Sequence, residues 1–508
     1  MKRFLTIILA ALMVVSLVAC VKKDTDTTDA TGATSGSAAV SPDAAAVILQ
    51  SEHYTITVAE FQYFLAKTYD DFASQYGDMI NYMLDTTKPL RDQKCPVDQT
   101  GKMTWFDYVA DGAVTTVKSY LLIAEQALKE GYEISEEDKA LIKAELDSMD
   151  EKAAEAEYAN VEDYIRDYYG SFATKETLQT CFNLSFIANS YRAEKYNSYD
   201  FTEEDYSDYA EKNPASCYKA DFMYLRMSAN IKEGATDAEK AAEWEKTKQA
   251  ALDFNNAIKG KDSFISLAED YMRSYCTIVE DETKVDYDKN IVTEEILKES
   301  AKGAETVGVA YSTGAKNVDW IFAKGRLSGE QTVIEDEENY TCEIIYMLKP
   351  MYLDESPTVD VRHILITPKT EGDDYKASTK ANEIYKTWSE GEATEESFAE
   401  LAAEFTEDTG SRNSGGLYDG VVPGQMVTEF NDWCFDPARK AGDTDIVKTD
   451  YGYHIMYFVE AGMPKWQATA DTGLRDTAVN GYMEDLGKEH QLTYTADNLA
   501  KCPDLFGN

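Results

Sequence analysis

The stretch Asp262-Ser-Phe-Ile-Ser-Leu-Ala268 returns as Glu396-Ser-Phe-Ala-Glu-Leu-Ala402. Asp319-Trp-Ile-Phe322 followed by Gly329 returns as Asp432-Trp-Cys-Phe435 followed by Gly442, with the same spacing from Asp to Gly. Two motifs recurring in the same order mark an internal repeat, in which each copy is one structural unit. Each copy opens and closes on a strand-like run. These are Phe222-Met-Tyr-Leu225 and Glu343-Ile-Ile-Tyr-Met347 in the first, Val361-Arg-His-Ile-Leu-Ile366 and His454-Ile-Met-Tyr-Phe458 in the second. Strand, helix, helix, strand within about 100 to 135 residues predicts two tandem α+β domains, over residues 215–356 and 357–463.

Upstream of the repeat, residues 47–214 read as helical. Val114, Val117, Tyr120, Leu121, Ala124 and Leu128 share one face of a helix from Val114 to Glu130 that Gly131 stops. Ser135 with the acidic run Glu136-Glu137-Asp138 caps a second helix, reaching about Asp150, and a third is expected over residues 175–198. Half of the chain's 34 tyrosines lie between Tyr54 and Tyr209, and such amphipathic rings suit an adaptable, chaperone-like binding surface. Leu474 to Leu492 has helical spacing but is too short to be stable alone. The segment 464–508 is therefore expected to pack back onto the helical region.

At 508 residues the chain exceeds one hydrophobic core. Its 49 Lys plus Arg against 93 Asp plus Glu give a net charge of -44, which repels nucleic acid and excludes a nucleic-acid partner. Apolar residues at 44% still supply packed cores. Eight cysteines without a CxxC or Cys/His cluster suggest neither a disulfide scaffold nor a metal site, and no cofactor is expected. Lys2 and Arg3 precede an apolar run, Phe4 to Ala19, that is too short to span a membrane and fits a signal peptide over residues 1–19. It ends in Leu17-Val-Ala-Cys20, which resembles a bacterial lipobox. That resemblance implies a lipid on Cys20 and a flexible tether over residues 20–46, holding the protein at the outer face of the cytoplasmic membrane.

Four histidines exist, and two of them, His363 and His454, fall in the terminal strands of the second repeat. Around them stand Phe405-Thr-Glu-Asp408, Ser414-Gly-Gly-Leu417, Gly424-Gln-Met426, Glu429-Phe430 and Thr449-Asp-Tyr-Gly-Tyr-His454. This ordered series over Val359 to Glu460 resembles the parvulin family of peptidyl-prolyl isomerases. The whole chain resembles extracellular foldase lipoproteins of the PrsA type and, more distantly, SurA-like periplasmic chaperones. The implied architecture is a helical chaperone-like domain followed by two parvulin-like α+β domains, the first degenerate. The resemblance implies a catalytic set of His363, Asp408, His454 and Thr449 and a proline-holding wall of Leu417, Met426 and Phe430. Tyr418 and Tyr451 stand where the family has small residues, which is expected to narrow the pocket.

Rotation about an Xaa-Pro bond crosses a barrier of about 18 to 20 kcal/mol because the twisted amide loses resonance. Catalysis means binding the twisted form better than either planar isomer, which needs an apolar grip and oriented polar groups but no nucleophile. Lys369 and Lys376 are interleaved with acidic residues, so phosphate selectivity is not expected. The first repeat has no histidine, with Phe222 or Met223 expected at the place of His363 and Glu343 at that of His454. The leading expectation is a lipid-anchored isomerase and chaperone for unfolded, proline-containing secreted clients. The alternatives are a non-catalytic holdase using the parvulin fold to bind clients, and a solute-binding lipoprotein, which the repeat disfavours because such receptors need two α/β lobes.

Overall fold

The structure is a computed structural model that describes residues 41–98, 100–310 and 316–506. The signal peptide, Cys20 and most of the tether lie outside these residues. The described residues form two compact units. One contains residues up to Asp200, Arg362–Leu417 and the chain from Arg475; the other contains Phe201–Val361 and Tyr418–Leu474.

In the first unit, helices Val58–Tyr76, Trp105–Lys129, Glu136–Glu155, Val161–Tyr169 and Lys175–Asn197 enclose a core built on Phe61, Leu65, Trp105, Leu121 and Phe182. The helix expected from Val114 begins at Trp105, because Thr104 and Asp107 form a reciprocal capping box that starts it two turns earlier. The C-terminal stretch closes this unit. Thr493–Tyr494 pairs antiparallel with Val47–Gln50, which also pairs with Thr55–Thr57. The Asp504 carboxylate accepts the backbone N–H groups of Leu90 and Arg91 at 2.8 and 3.0 Å. Tyr191 and Tyr482 share a hydroxyl contact of 3.0 Å, and Arg475 donates to the Tyr196 carbonyl at 2.8 Å. The helix read from Leu474 spans Lys465–Glu489. Its early part was missed because Trp466 and Ala470 serve a separate apolar cluster with Tyr206, Ala210 and Cys217 in the second unit.

Each repeat forms a four-stranded sheet, and the two sheets have one topology. In the first repeat the strands are Tyr218–Ser228, Glu305–Ala310, Gln331–Asp336 and Thr341–Leu353. In the second they are Val359–Ile366, entering the unit through Val359 and Val361, then Leu417–Val421, Thr444–Thr449 and Gly452–Ala461. Both sheets follow the spatial order second, first, fourth, third. Each repeat thus adds two edge strands that flank the predicted terminal pair.

Specific bonds superpose the copies residue by residue. Gly308 N–H donates to Asp221 Oδ1 at 2.7 Å, and Gly420 N–H to Asp360 Oδ1 at 2.8 Å. Arg326 Nε donates to the Trp320 carbonyl and Arg439 Nε to the Trp433 carbonyl, both at 3.0 Å, with each guanidinium about 4 Å above its own indole. Gly329 N–H donates to the Met347 carbonyl and Met347 N–H to the Glu330 carbonyl, both at 2.8 Å, just as Gly442 N–H donates to Phe458 and Phe458 N–H to Asp443, both at 2.9 Å. Helix packing also matches: Phe254 meets Phe264 edge-on at 5.0 Å, and Trp388 meets Phe398 edge-on at 5.8 Å in the other unit.

These anchors correct one expectation. Asp221 corresponds to Asp360, so the counterpart of His363 is Tyr224, neither Phe222 nor Met223. Tyr224 N–H donates to Ala304 as His363 N–H donates to Gly416, at 2.7 and 2.8 Å. A bulge at Asp221 shifts the register of that strand, and alternation of apolar residues cannot reveal it. Glu343 does correspond to His454, and Asn317 takes the place of Phe430. The short loop Thr406–Gly416 of the second repeat has a longer counterpart in the first, which holds the two-residue pair Thr277–Ile278 with Ile291–Val292 and the helix Glu294–Lys302.

Gly416 has φ +74°, and a Cβ there would lie 2.3 Å from the His363 carbonyl oxygen. Gly416→Ala is expected to destabilise the second repeat by roughly 2 kcal/mol or more, since left-handed strain and backbone overlap add. Hydrogen exchange of the full chain should show faster exchange at Val359–Ile366; unchanged protection there contradicts this reading.

Candidate functional site

His363 lies on the first strand of the second repeat with 2% of its surface exposed. Its Nε2 is 3.0 Å from Asp408 Oδ2 and 3.1 Å from Ser411 Oγ. Ser411, fully buried, also hydrogen-bonds the Asp408 carboxylate, closing a three-membered group. The loop that supplies Asp408 and Ser411 is held on the strand by main-chain and side-chain bonds. Glu407 N–H donates to Leu365 at 2.8 Å, and Leu365 N–H donates to Thr406 Oγ1 at 3.0 Å. The buried Arg362 guanidinium donates to the carbonyls of Ser414 and Gly415 and pairs with Glu395 at 3.0 Å. A buried charge with carbonyl and carboxylate partners holds its loop firmly, because releasing either would strand it without solvation.

A second group lies on the last two strands. Thr449 Oγ1 is 2.9 Å from His454 Nε2, both residues being 6% exposed. The turn between them, with Thr449 opposite Gly452, lets Thr449 Oγ1 also accept the Tyr451 N–H at 3.1 Å. The ring of Phe430 meets His454 edge-on at 5.4 Å, and Tyr418 lies 6.3 Å from Phe430. Met426 is half-buried against this apolar cluster. The arrangement is an apolar wall with a hydrogen-bonded imidazole at its edge, which suits a pyrrolidine ring and the amide beside it.

The structure therefore brings His363 to Asp408, His454 to Thr449 and Phe430, and Tyr418 and Met426 to the apolar cluster around Phe430. Leu417 is half-buried at the start of its strand, where its carbonyl accepts the Ser414 hydroxyl at 3.1 Å. Of the two tyrosines expected to narrow the pocket, Tyr418 packs on Phe430, whereas Tyr451 is 64% exposed. Cys434, beside Trp433, is 1% exposed, and burial pushes its thiol up to about 12, so it stays protonated. Ser411 and Arg362 were not singled out from the sequence. The signal for Ser411 was its position three residues after Asp408 in a Gly-containing turn, and that for Arg362 was a charge inside an otherwise apolar strand.

The same places in the first repeat hold different chemistry. The Tyr224 hydroxyl donates to Glu343 Oε1 at 2.8 Å. Burial and this bond raise the Tyr224 pKa, so it remains a phenol.

Residues 363–460 match the family model described as Rotamase, PPIC-type PPIase domain. The foldase protein PrsA 3 of Bacillus cereus is 40% identical over 101 residues, which make up 20% of this chain and 30% of that one. The foldase protein PrsA of Geobacillus kaustophilus is 28% identical over 214 residues, covering 41% of this chain and 69% of that one. The solution structure of the parvulin of Nitrosopumilus maritimus is 27% identical, covers 21% of this chain and 98% of that chain, and has a TM-score of 0.17. The chain thus spans about a third of the length of the Bacillus relative. Residues 363–460 are a peptidyl-prolyl isomerase domain of the parvulin type.

Phe430 and Met426 should separate folding from binding. Phe430 is 2% exposed, so Phe430→Ala is expected to destabilise the domain by about 3 to 5 kcal/mol. Met426→Ala, at a half-buried position, should leave the domain folded and lower kcat/KM for an Xaa-Pro peptide by about tenfold. An unchanged kcat/KM in folded Met426→Ala removes Met426 from the proline wall.

Proposed function

We propose that this chain is an extracytoplasmic peptidyl-prolyl isomerase and chaperone that assists unfolded secreted polypeptides, anchored by a lipid on Cys20. The observation that carries the reading is that both histidine groups, His363 with Asp408 and His454 with Thr449, fall within the matched rotamase residues. Supporting it are the likeness to PrsA foldases and the lipobox-like Leu17-Val-Ala-Cys20.

In this reading Met426, Phe430 and Tyr418 hold the proline ring by apolar contact, together with Leu417. The His454–Thr449 pair polarises the rotating amide, and the His363–Asp408–Ser411 group keeps its loop and polar atoms fixed, so their dipoles need no reorganisation as the amide twists. The domains run as signal peptide 1–19, tether 20–46, helical client-binding domain 47–214, silent parvulin-like domain 215–356, isomerase domain 357–463 and C-terminal segment 464–508. The silence of the first follows from Tyr224, Glu343 and Asn317 replacing His363, His454 and Phe430.

A second reading, a holdase that binds without isomerising, draws support from the Tyr418 ring on the proline wall. A refolding assay limited by proline isomerisation, run beside an aggregation assay, separates the two. Isomerase function predicts that the chain lacking residues 1–19 accelerates the slow refolding phase, with His454→Ala losing about 10- to 100-fold of that rate while still suppressing aggregation. Aggregation suppressed with no acceleration by the wild type establishes the holdase instead. Cys20→Ser should release the protein from membranes; mass spectrometry finding an unmodified wild-type cysteine contradicts the anchor.

A further inference from the structure

In the first unit, the helices Glu136–Glu155 and Lys175–Asn197 border a cleft of about 450 Å³, within the roughly 300 to 1,000 Å³ of ligand pockets. Ile142 and Leu146 from one helix and Gln179 and Asn183 from the other line it. Each pair is spaced four residues apart, so its members share a helix face and stand about 6 Å apart along the axis. Ile142 and Leu146 are 3% and 6% exposed, so the floor supplies shape and little free apolar area. The lysines of the lining are already paired, Lys139 with Glu136, Lys143 with Asp147 and Lys175 with Asp150. Only the exposed Glu176 remains as an unpaired charge of the lining among the described residues, so the cleft has no cluster of one sign to select an ion. The Gln179 and Asn183 amides, in contrast to the lysines, make no hydrogen bond to another described residue.

We propose that this cleft binds an extended, unfolded segment of a client chain through its backbone, with Gln179 and Asn183 as the recognition residues. A primary amide carries a carbonyl acceptor and N–H donors, the complement of the N–H and C=O that a residue of an extended chain presents along one edge. An extended chain presents the same edge at every second residue, about 6.5 to 7 Å apart. Two amides one helical turn apart, at about 6 Å, come close enough to that interval for flexible side chains to meet alternate residues. Side chains of an extended segment alternate with the same period, so those turned to the floor lie over Ile142 and Leu146. Every polypeptide carries the peptide groups read in this way, which suits clients of varied sequence. The inference rests on the chaperone reading and gives it a point of contact in the helical domain.

The probe is a fluorescein-labelled, proline-free peptide of high β-propensity, compared with the same peptide N-methylated at every second residue, which removes backbone N–H groups and keeps the side chains. Fluorescence anisotropy with the chain lacking only residues 1–19 should show binding of the first peptide and roughly tenfold weaker binding of the second. Gln179→Ala combined with Asn183→Ala should leave the near-ultraviolet circular dichroism unchanged, since both positions are on a helix surface where alanine is the better helix former. The double variant should bind the unmethylated peptide about tenfold more weakly, as the loss of two hydrogen bonds implies, and should no longer distinguish the two peptides. If the wild type binds neither peptide, or the folded double variant retains the discrimination, the cleft is refuted. Suppression of aggregation in either case leaves the chaperone reading standing. If the substitutions weaken peptide binding as expected but the wild type suppresses no aggregation, the cleft stands and the chaperone reading falls. A concentration-dependent dimer that the same substitutions dissolve, without peptide binding, assigns the cleft to a second copy of the chain and overturns the proposal.

Discussion

A single aspartate accepting the backbone N–H of a glycine on the neighbouring strand sets the register of each repeat, as Asp221 with Gly308 and again as Asp360 with Gly420. Register in a sheet decides which side chains reach which face, since a slip of one residue reverses every one of them. With the register fixed, the fourth residue of the run that starts at the aspartate takes the same place in each copy, Tyr224 or His363. Its own N–H is then bonded to Ala304 or Gly416, four residues before the clasp glycine. Gly416 can make that approach only because it has no Cβ. The loop that follows Thr406 is thereby held against His363, and Asp408 and Ser411 come within bonding distance of its ring.

The two copies show one frame carrying two chemistries. The Arg326–Trp320 and Arg439–Trp433 stacks, the paired glycine bonds at Gly329 and Gly442, and the common strand order all belong to the frame. Among the differences are Tyr224 and Glu343 against His363 and His454, Asn317 against Phe430, and a long insertion against the loop bearing Asp408. A phenol bonded to a carboxylate is a satisfied structural pair. In the second copy the imidazole of His454 is bonded to Thr449 instead and lies edge-on to Phe430. The frame is preserved because its interactions stabilise the sheet.

The sequence carried the frame more clearly than its details. Phe264 and Ala268, like Phe398 and Ala402, are fully buried helix positions, and buried helix faces leave a repeating pattern that survives divergence. The parvulin domain was legible because its motifs, from His363 to His454, stand in order. Three things were not legible. The bulge at Asp221 leaves no periodic mark, so Tyr224 was read two residues or one residue away from its place. Ser411 and Arg362 act through bonds to a loop distant in sequence from the strand, which spacing cannot show. The helix Lys465–Glu489 serves separate apolar clusters along its length, around Trp466 and around Leu486, so no single stripe marks its start. The capping pair Thr104 and Asp107 was present in the sequence but was masked by the aromatic run Trp105-Phe106 that follows.

In the proposed function, isomerisation resides in the second repeat and depends on the two histidines that the first repeat has replaced. Exchange spectroscopy by NMR on an Xaa-Pro peptide measures cis–trans interconversion directly, at equilibrium and without a refolding client. With the full chain added, the account predicts exchange cross-peaks between the two isomers. It predicts their loss when His363→Tyr and His454→Glu are introduced together, giving the second repeat the pair found in the first, while near-ultraviolet circular dichroism shows the chain still folded. Cross-peaks of undiminished intensity in that folded double variant would contradict the account, because catalysis would then lie elsewhere in the chain.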